Sequence, residues 1–240
     1  MTYRGPDRRQ YKSILVISDQ HFPYAHPDII PFLRKLRNAL TPDYIVNIGD
    51  EVDSHALSFH DSDPDLPSAG DELKLARKQL KPLYEMFPKM SIVESNHGSM
   101  VYRKGKHFGI PADYLRSYRD ILNAPKGWEW IDELVLQTPQ GPVMFRHQFK
   151  KDPLIHAQQM AMSIVQGHFH EDFDIQYVSS PHRLLWAMTV GCLIDKKSLA
   201  FAYNKTNTKR PIIGVGHISN GLPTLIPMIL DADGRWVGKL

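Results

Sequence analysis

Five short clusters of oxygen and imidazole side chains recur along the 240 residues. They are Asp19-Gln20-His21, Gly49-Asp50-Glu51-Val52-Asp53, Asn96-His97, His147 and Gly167-His168-Phe169-His170. Each alone arises easily by chance. Together they offer carboxylate, amide and imidazole donors without a thiolate. Such a mixed N/O set suits Mn, Fe, Zn, Co or Ni better than Ca. Two divalent cations about 3.5–4 Å apart need a bridging carboxylate, flanking donors and open positions for water and substrate. Asp50, presented by a tight glycine turn, is the natural bridge. Asp19, His21 and His170 complete one site, and Asn96, His147 and His168 the other.

These side chains converge only if regular elements deliver them. Ser13 to Ser18 is a short apolar run without alternation, the pattern of a strand buried on both faces. Tyr44 to Ile48 and Ser91 to Glu94 read as two more strands. Pro27 to Leu40 has a helical period. So does Leu73 to Met86, with Ser68 or Asp71 near its start and Pro88 past its end. This β-α-β-α-β order predicts parallel strands with helical crossovers. Asp113 to Leu122 is expected to be helical. Beyond Trp128 the pattern turns to strands: Leu134 to Gln137, Val143 to Arg146, Ser163 to Gln166, Phe173 to Tyr177, Leu184 to Val190, Ile212 to Ile218 and Leu225 to Leu230. A helix from Leu154 to Met162 interrupts them. The five clusters then stand at the C-terminal ends of strands, the edge where open α/β sheets build sites. Two stretches read as irregular, the acidic Ser54 to Gly70 and the basic, aromatic Met100 to Pro111. Loops of that length are usually functional or mobile.

Composition narrows the class. With 42% hydrophobic and 23% charged residues the chain is not globally disordered. A net charge of +3 excludes a general nucleic-acid glue, so any basic surface is local. A single cysteine, Cys192, excludes a disulfide framework and a thiolate zinc site, and reads as a small buried residue. The longest apolar stretch, Leu184 to Ile194, is broken by Thr189 and Gly191 and is shorter than the ~20 residues of a membrane span. Residues 1–12 are polar, with Arg4, Arg8 and Arg9, and no apolar signal segment follows. The expectation is a cytoplasmic protein with a flexible tail, 1–12, and a single domain, 13–240.

In their order and spacing, D-x-H, G-D-x-x-D, N-H, H and G-H-x-H resemble the calcineurin-like metallophosphoesterases, over roughly Ser13 to Ile218. Small phage and bacterial members are the most similar in size. The resemblance implies a four-layer αββα sandwich of two mixed sheets around a two-metal centre, with the ligand set given above. It also implies that His97 is a general acid or a transition-state stabiliser. Asp53 looks like the carboxylate that orients it, and the alternative is an N-cap for the next segment. Two positions depart from the common pattern. Ser54 stands where many members carry an arginine that holds phosphate, and Ser95-Asn96-His97-Gly98 replaces G-N-H-[DE]. Both argue against a protein phosphatase.

The expected activity is therefore two-metal phosphoester hydrolysis, with metal-bound hydroxide attacking phosphorus. Two transition-metal ions, Mn foremost, are the expected cofactors. The expected substrate is a phosphodiester, as nucleic acid or nucleotide. A phosphomonoesterase and a non-catalytic phosphate- or partner-binding protein are the alternatives. Arg103, Lys104 and Lys106 are candidate substrate contacts in a segment where cations alternate with Tyr102, Phe108, Tyr114 and Tyr118, joined by Arg116 and Arg119. That composition suits phosphate contacts plus base stacking, with a solvated face whose aromatics pack inward as the default. Asp61, Asp63, Asp65 and Glu72 mimic a calcium loop, but Leu66 stands where glycine is needed and Pro64 and Pro67 intrude, which excludes it. His55 and His60 follow the G-D-x-x-D closely enough to reach a cleft, with surface or packing roles as the default.

Overall fold

An apolar run without alternation needs cover on both faces of its strand, and that requirement organises this chain in layers. A computed structural model describes residues 3–4, 9–58, 63–149, 152–198, 200 and 209–240. The elements in chain order are β1 (Tyr3–Arg4), β2 (Ser13–Ile17), α1 (Ile29–Leu40), β3 (Tyr44–Asn47), α2 (Ala69–Met86), β4 (Lys89–Val93), α3 (Met100–His107), α4 (Tyr118–Leu122), β5 (Gly127–Ile131), β6 (Glu133–Thr138), β7 (Gly141–Phe145), α5 (Pro153–Met160), β8 (Ser163–Gln166), β9 (Phe173–Ser179), β10 (Leu184–Val190), β11 (Gly214–Ser219) and β12 (Leu222–Pro227). Two short 3₁₀ turns, His55–Leu57 and Ala112–Tyr114, lie between them.

The strands form two mixed six-stranded sheets, ordered β12-β11-β2-β3-β4-β5 and β1-β6-β7-β8-β10-β9. In β2, Ile14 and Val16 point to one side and join Val46, Ile48, Phe145, Val165, Trp186 and Met188 in the core between the sheets. Leu15 and Ile17 point the other way, under Phe32, Leu33 and Leu36 of α1 and Leu80 and Leu83 of α2. On the far face of the second sheet, Val135, Met144, Ile164 and Ala187 pack on Ala157 of α5. The result is the four-layer αββα sandwich that the motifs implied. Truncating a fully buried residue such as Ile48 to alanine costs roughly 2–5 kcal/mol.

Strands β2 to β5 are parallel, in register Ile17↔Asn47 and Asn47↔Ile92. Strands β7 and β8 are parallel in the other sheet. All their C-terminal ends therefore reach one edge of the sandwich. Among the described residues no helix is long and apolar enough to cross a membrane.

The structure differs from the sequence expectation in several places. Met100 to His107 is helical rather than irregular. Its Gly105 and dense charge hide the helical period; the glycine lets Leu115 pack closely, since a Cβ there would lie 2.8 Å from Leu115 Cδ1. The helix expected over Asp113 to Leu122 is split. Leu115 is extended, and Ser117 starts a new helix by accepting a hydrogen bond from the Asp120 N–H at 3.2 Å. Strand β5 was not expected; it pairs with β4 from Lys89↔Gly127 to Val93↔Ile131. Within the expected tail, Tyr3–Arg4 pairs with Glu133–Leu134, and Tyr11 is buried against Tyr44. His60 and Asp61 lie outside the described residues.

Candidate metal centre

Each cluster follows a strand end through a sharp backbone turn. Asp19, His21, Asp50 and His168 all have left-handed backbones, with φ of 50°, 51°, 52° and 66°. Such conformations cost of order 1–3 kcal/mol each for non-glycine residues and persist where the surroundings over-determine them. Here the surroundings are a backbone ladder continuing past the strands. The Asp19 N–H donates to Gly49 O at 3.0 Å, and the His21 N–H to Asp50 O at 2.9 Å. Two glycines are needed for close approach. A Cβ on Gly49 would sit 2.5 Å from Ser95 Cβ, and one on Gly167 would sit 2.1 Å from Ser18 Oγ and 2.5 Å from Asp19 Oδ2.

All seven residues expected as metal ligands come together. Asp19, His21 and His170 hold donor atoms within 4.8 Å of one another, as do Asp50, His147 and His168. His21, Asp50 and His97 form a third such group between them. Asn96 Oδ1 lies 2.7 Å from His147 Nε2, on the side of the second group. Asp50 Oδ2 is 3.7 Å from His21 Nε2 and 3.3 Å from His147 Nε2, so its carboxylate stands between the two sets. His170 Nε2 is 3.1 Å from Asp19 Oδ1, and the His168 N–H donates to Asp19 Oδ2 at 3.0 Å.

The remaining ring nitrogens are held from behind. His147 Nδ1 donates to the Ile48 carbonyl at 2.9 Å, which turns Nε2 toward Asp50. His21 Nδ1 lies 2.6 Å from Asp53 Oδ1. Metal-binding imidazoles characteristically give their second N–H to a carboxylate or a carbonyl in this manner. The resemblance implied that Asp53 orients His97. The carboxylate of Asp53 goes instead to His21, and its backbone carbonyl is what receives His97 Nδ1. His97 Nδ1 is 3.8 Å from Asp53 Oδ1.

Charge in this cluster is unusual for a buried region. Burial works against ionised Asp19, but His170 and His21 hold its carboxyl well below the usual range. Burial likewise opposes ionised Asp50, and His147 and His97 overcome it. His21 is disfavoured as a cation by burial, yet Asp19 and Asp53 raise it to about 10. His147, also buried, is raised to about 9, chiefly by Asp50. Burial and the His147 charge lower His168. Among the described residues the ion-pair partners of Asp19 and Asp50 are histidines alone. Protons on imidazole thus neutralise carboxylates whose geometry and donor chemistry fit divalent cations.

Other expected residues divide. Arg103, at the end of the first turn of α3, donates from Nη2 to the Asn96 carbonyl at 2.6 Å, while Lys106 is exposed. Lys104 is half-buried. Arg119 is turned away, holding the Trp128 carbonyl at 3.0 and 3.2 Å. Arg146 lies over the Phe149 ring, off the His147 side. Cys192 is buried, and burial pushes its thiol to about 12. His55 Nδ1 comes to 3.7 Å from Asp53 Oδ2.

Two contributors were missed. Ser95 Oγ accepts hydrogen bonds from the Asp50 and Gly98 N–H groups at 2.9 and 3.1 Å, so this departure from the common glycine fastens two of the turns. Glu51 is buried and raised to about 7 by burial, with Oε1 accepting from Trp130 Nε1 at 2.9 Å. Its partner lies 79 residues away, beyond any local signal. A cavity of about 420 Å³ opens among Tyr44, Met90, Ser91 and Gly127, at the opposite end of the strands, and takes no part in this centre.

No family model matches the chain, and no curated protein matches it. Solved structures do. Yfce, a phosphoesterase from E. coli, aligns over 94% of this chain and 96% of its own, with a TM-score of 0.50 and 14% identity. A novel archaeal phosphodiesterase covers 90% of this chain and 99% of its own (TM-score 0.49, 11% identity). Vps29 of Chaetomium thermophilum covers 95% and 93% (TM-score 0.47, 12% identity). At such identities the likeness to Yfce speaks for architecture, and with the two sheets and their shared edge it establishes that the chain has the calcineurin-like metallophosphoesterase fold.

Proposed function

We propose that the chain is a two-metal phosphoester hydrolase acting on phosphodiesters of nucleic acid or nucleotides. The observation that carries this reading is the position of Asp50. Its carboxylate lies between two donor sets, Asp19–His21–His170 and Asn96–His147–His168. Bound there, two divalent cations supply Lewis acidity that lowers the pKa of water toward neutrality and offsets charge on phosphoryl oxygens. Manganese is the first candidate; N/O donors of this kind also accept Fe, Zn, Co or Ni.

The chain's own residues do the rest. Asp53 orients His21, and the Ile48 carbonyl orients His147, so both rings present Nε2 to the centre. His97 has Nδ1 on the Asp53 carbonyl, which leaves Nε2 to exchange a proton. Protonated at Nε2, it donates to the oxygen that leaves phosphorus, a step worth ~10²–10⁴ in rate. Arg103, Lys104 and Lys106 meet the phosphate backbone in place of an arginine at Ser54.

Hydrolysis of bis-p-nitrophenyl phosphate and p-nitrophenyl phosphate, with and without manganese, tests the reading. Metal-dependent turnover favouring the diester is expected. Preference for the monoester would move the assignment to a phosphomonoesterase, and no turnover with any of the five metals would sink it.

A further inference from the structure

Among the described residues, the stretch that follows His97 carries most of the exposed aromatic side chains. Phe108 is 72% exposed, Tyr114 81% and Tyr102 50%. These are three of the four exposed aromatic side chains among the described residues, Tyr177 being the other. The inward-packed reading of the segment therefore does not hold for them. The buried side of α3 is supplied by Met100 and Gly105, where Leu115 folds back against the glycine. Tyr102 and Lys106, four residues apart, share a face of the helix.

Residues 100–119 contain five Lys and Arg against one carboxylate, Asp113. Arg119 is held by the Trp128 carbonyl and Arg116 by the Asp120 carbonyl, while Lys106 is exposed. The stretch is tied to the centre. The Met100 N–H donates to the His97 carbonyl at 3.1 Å, and Arg103 holds the carbonyl of Asn96. Rings and cations adjoin in the chain: Arg103, Lys104 and Lys106 lie between Tyr102 and Phe108, and Arg116 follows Tyr114, while Gly109 to Asp113 carry no cation. Together they suit a strand whose bases offer flat faces and whose phosphates carry charge at each step. Bases inside a duplex are already stacked, so the complementary ligand is single-stranded.

We propose that Tyr102, Phe108 and Tyr114, with Arg103, Lys104 and Lys106, form a platform for single-stranded nucleic acid leading into the metal centre. Its role as substrate path rests on the hydrolase reading above; its binding does not.

Fluorescence anisotropy of the full chain in EDTA measures binding without turnover. The probes are a short oligothymidylate, the matching oligouridylate and a duplex of the same length. Single strands are expected to bind more tightly than the duplex, and the two single strands reveal whether DNA or RNA is preferred. Affinity should fall with salt with a log–log slope of ~0.7 per phosphate contacted. Each of Tyr102→Ala, Phe108→Ala and Tyr114→Ala should raise Kd about tenfold, and Lys106→Glu should flatten the salt slope. In metal, the ring variants should lower the ratio of oligonucleotide to bis-p-nitrophenyl phosphate turnover by a similar factor. Thermal melts check that the exposed substitutions leave the fold intact. Absent binding by the wild-type chain, equal binding of duplex, or ring variants that bind like wild type would each overturn the platform. Binding as expected without turnover of any diester would instead leave the platform standing and remove the hydrolase reading.

Discussion

His21 and Asp53 face one another across 2.6 Å, Nδ1 to Oδ1, although 32 residues separate them in the chain. That contact gives the Asp53 carboxylate a partner different from the one the resemblance implied. Removing a carboxylate that orients a metal-binding imidazole typically costs 10–100-fold in metal affinity. Asp53→Ala is therefore expected to weaken manganese binding by that factor in calorimetry, with activity recovering at saturating metal. Asp53→Asn, whose amide oxygen still accepts from Nδ1–H, should lose less. The contact to His97 survives in both, because it uses the backbone. Unchanged metal affinity with lost kcat would show that the carboxylate acts on His97 after all.

Asp50 makes a sharper test, since it stands between both donor sets. Asp50→Asn is expected to lower the bound manganese from two per chain and to abolish activity, read by elemental analysis and turnover. Retention of two tightly bound ions with full activity would refute the bridging role.

The same cluster fixes an unusual pH dependence. His21 and His147 are raised to about 10 and about 9 in the metal-free fold, from an ordinary value of 6.5. A group whose folded pKa is raised contributes stability that is complete below its unfolded pKa and is lost as pH rises through the folded value. The EDTA-treated chain should thus melt at progressively lower temperature between pH 7 and pH 10. Metal binding requires the neutral imidazoles, so loading releases protons and its affinity should climb across the same window. A metal-free melting temperature that stays constant or rises with pH would contradict the assignment of these protons.

Asp28 and Arg235 tie the C-terminal segment to α1. Arg235 Nε donates to Asp28 Oδ2 at 2.7 Å, Nη2 bonds Oδ1, and the Trp236 N–H adds 2.9 Å to Oδ2. The guanidinium holds Asp28 at about 2, below its ordinary 3.8. For a depressed carboxyl the stabilisation is present above the unfolded pKa and disappears as pH falls toward the folded one. Arg235 is 59% exposed, so solvent screening keeps the contribution small. Asp28→Asn should lower Tm by about 2–4 °C at pH 7, with the difference closing between pH 4 and pH 2. Trp236 also meets the Phe32 ring edge-on, with centroids 5.4 Å apart, and a difference independent of pH would assign the effect to that packing instead.

The sequence was most legible where one residue's environment decides its type. Ile14 to Ile17 must be covered on both faces, and they are, by a second sheet and by α1 and α2. Asp19, Asp50, Asn96, His147 and His168 could be placed at one edge because parallel strands put all their C-termini on one side. The missed features depend on contacts that no local pattern encodes. Strand β5 exists because Trp128 and Trp130 pack beside β4, yet a five-residue segment with Glu129 exposed carries no clear period. Helix α3 is masked by Gly105, against which Leu115 packs. The partner of Asp53 could not be chosen from its motif, since both His21 and His97 lie within reach of the one residue.

His97 is where binding and chemistry should separate. It sits beside His21, with ring centroids 4.7 Å apart, and its backbone N–H donates to Asp50 Oδ1 at 3.0 Å. Removing the imbedded ring while keeping that N–H leaves the fastening of Asp50 in place, so His97→Ala should retain its metal. The loss of the proton donor should lower kcat by ~10²–10⁴ for a diester with a poorly stabilised leaving alkoxide. A nitrophenolate needs no proton to depart, so the loss on bis-p-nitrophenyl phosphate should be much smaller. His97→Gln, which can donate a hydrogen bond but cannot transfer a proton, distinguishes the two remaining roles. Recovery of kcat by glutamine on both substrates would assign His97 to holding the transition state. A deficit confined to the poor leaving group would assign it to protonating the departing oxygen. Equal losses for good and poor leaving groups in His97→Ala, with full metal content, would exclude the acid role.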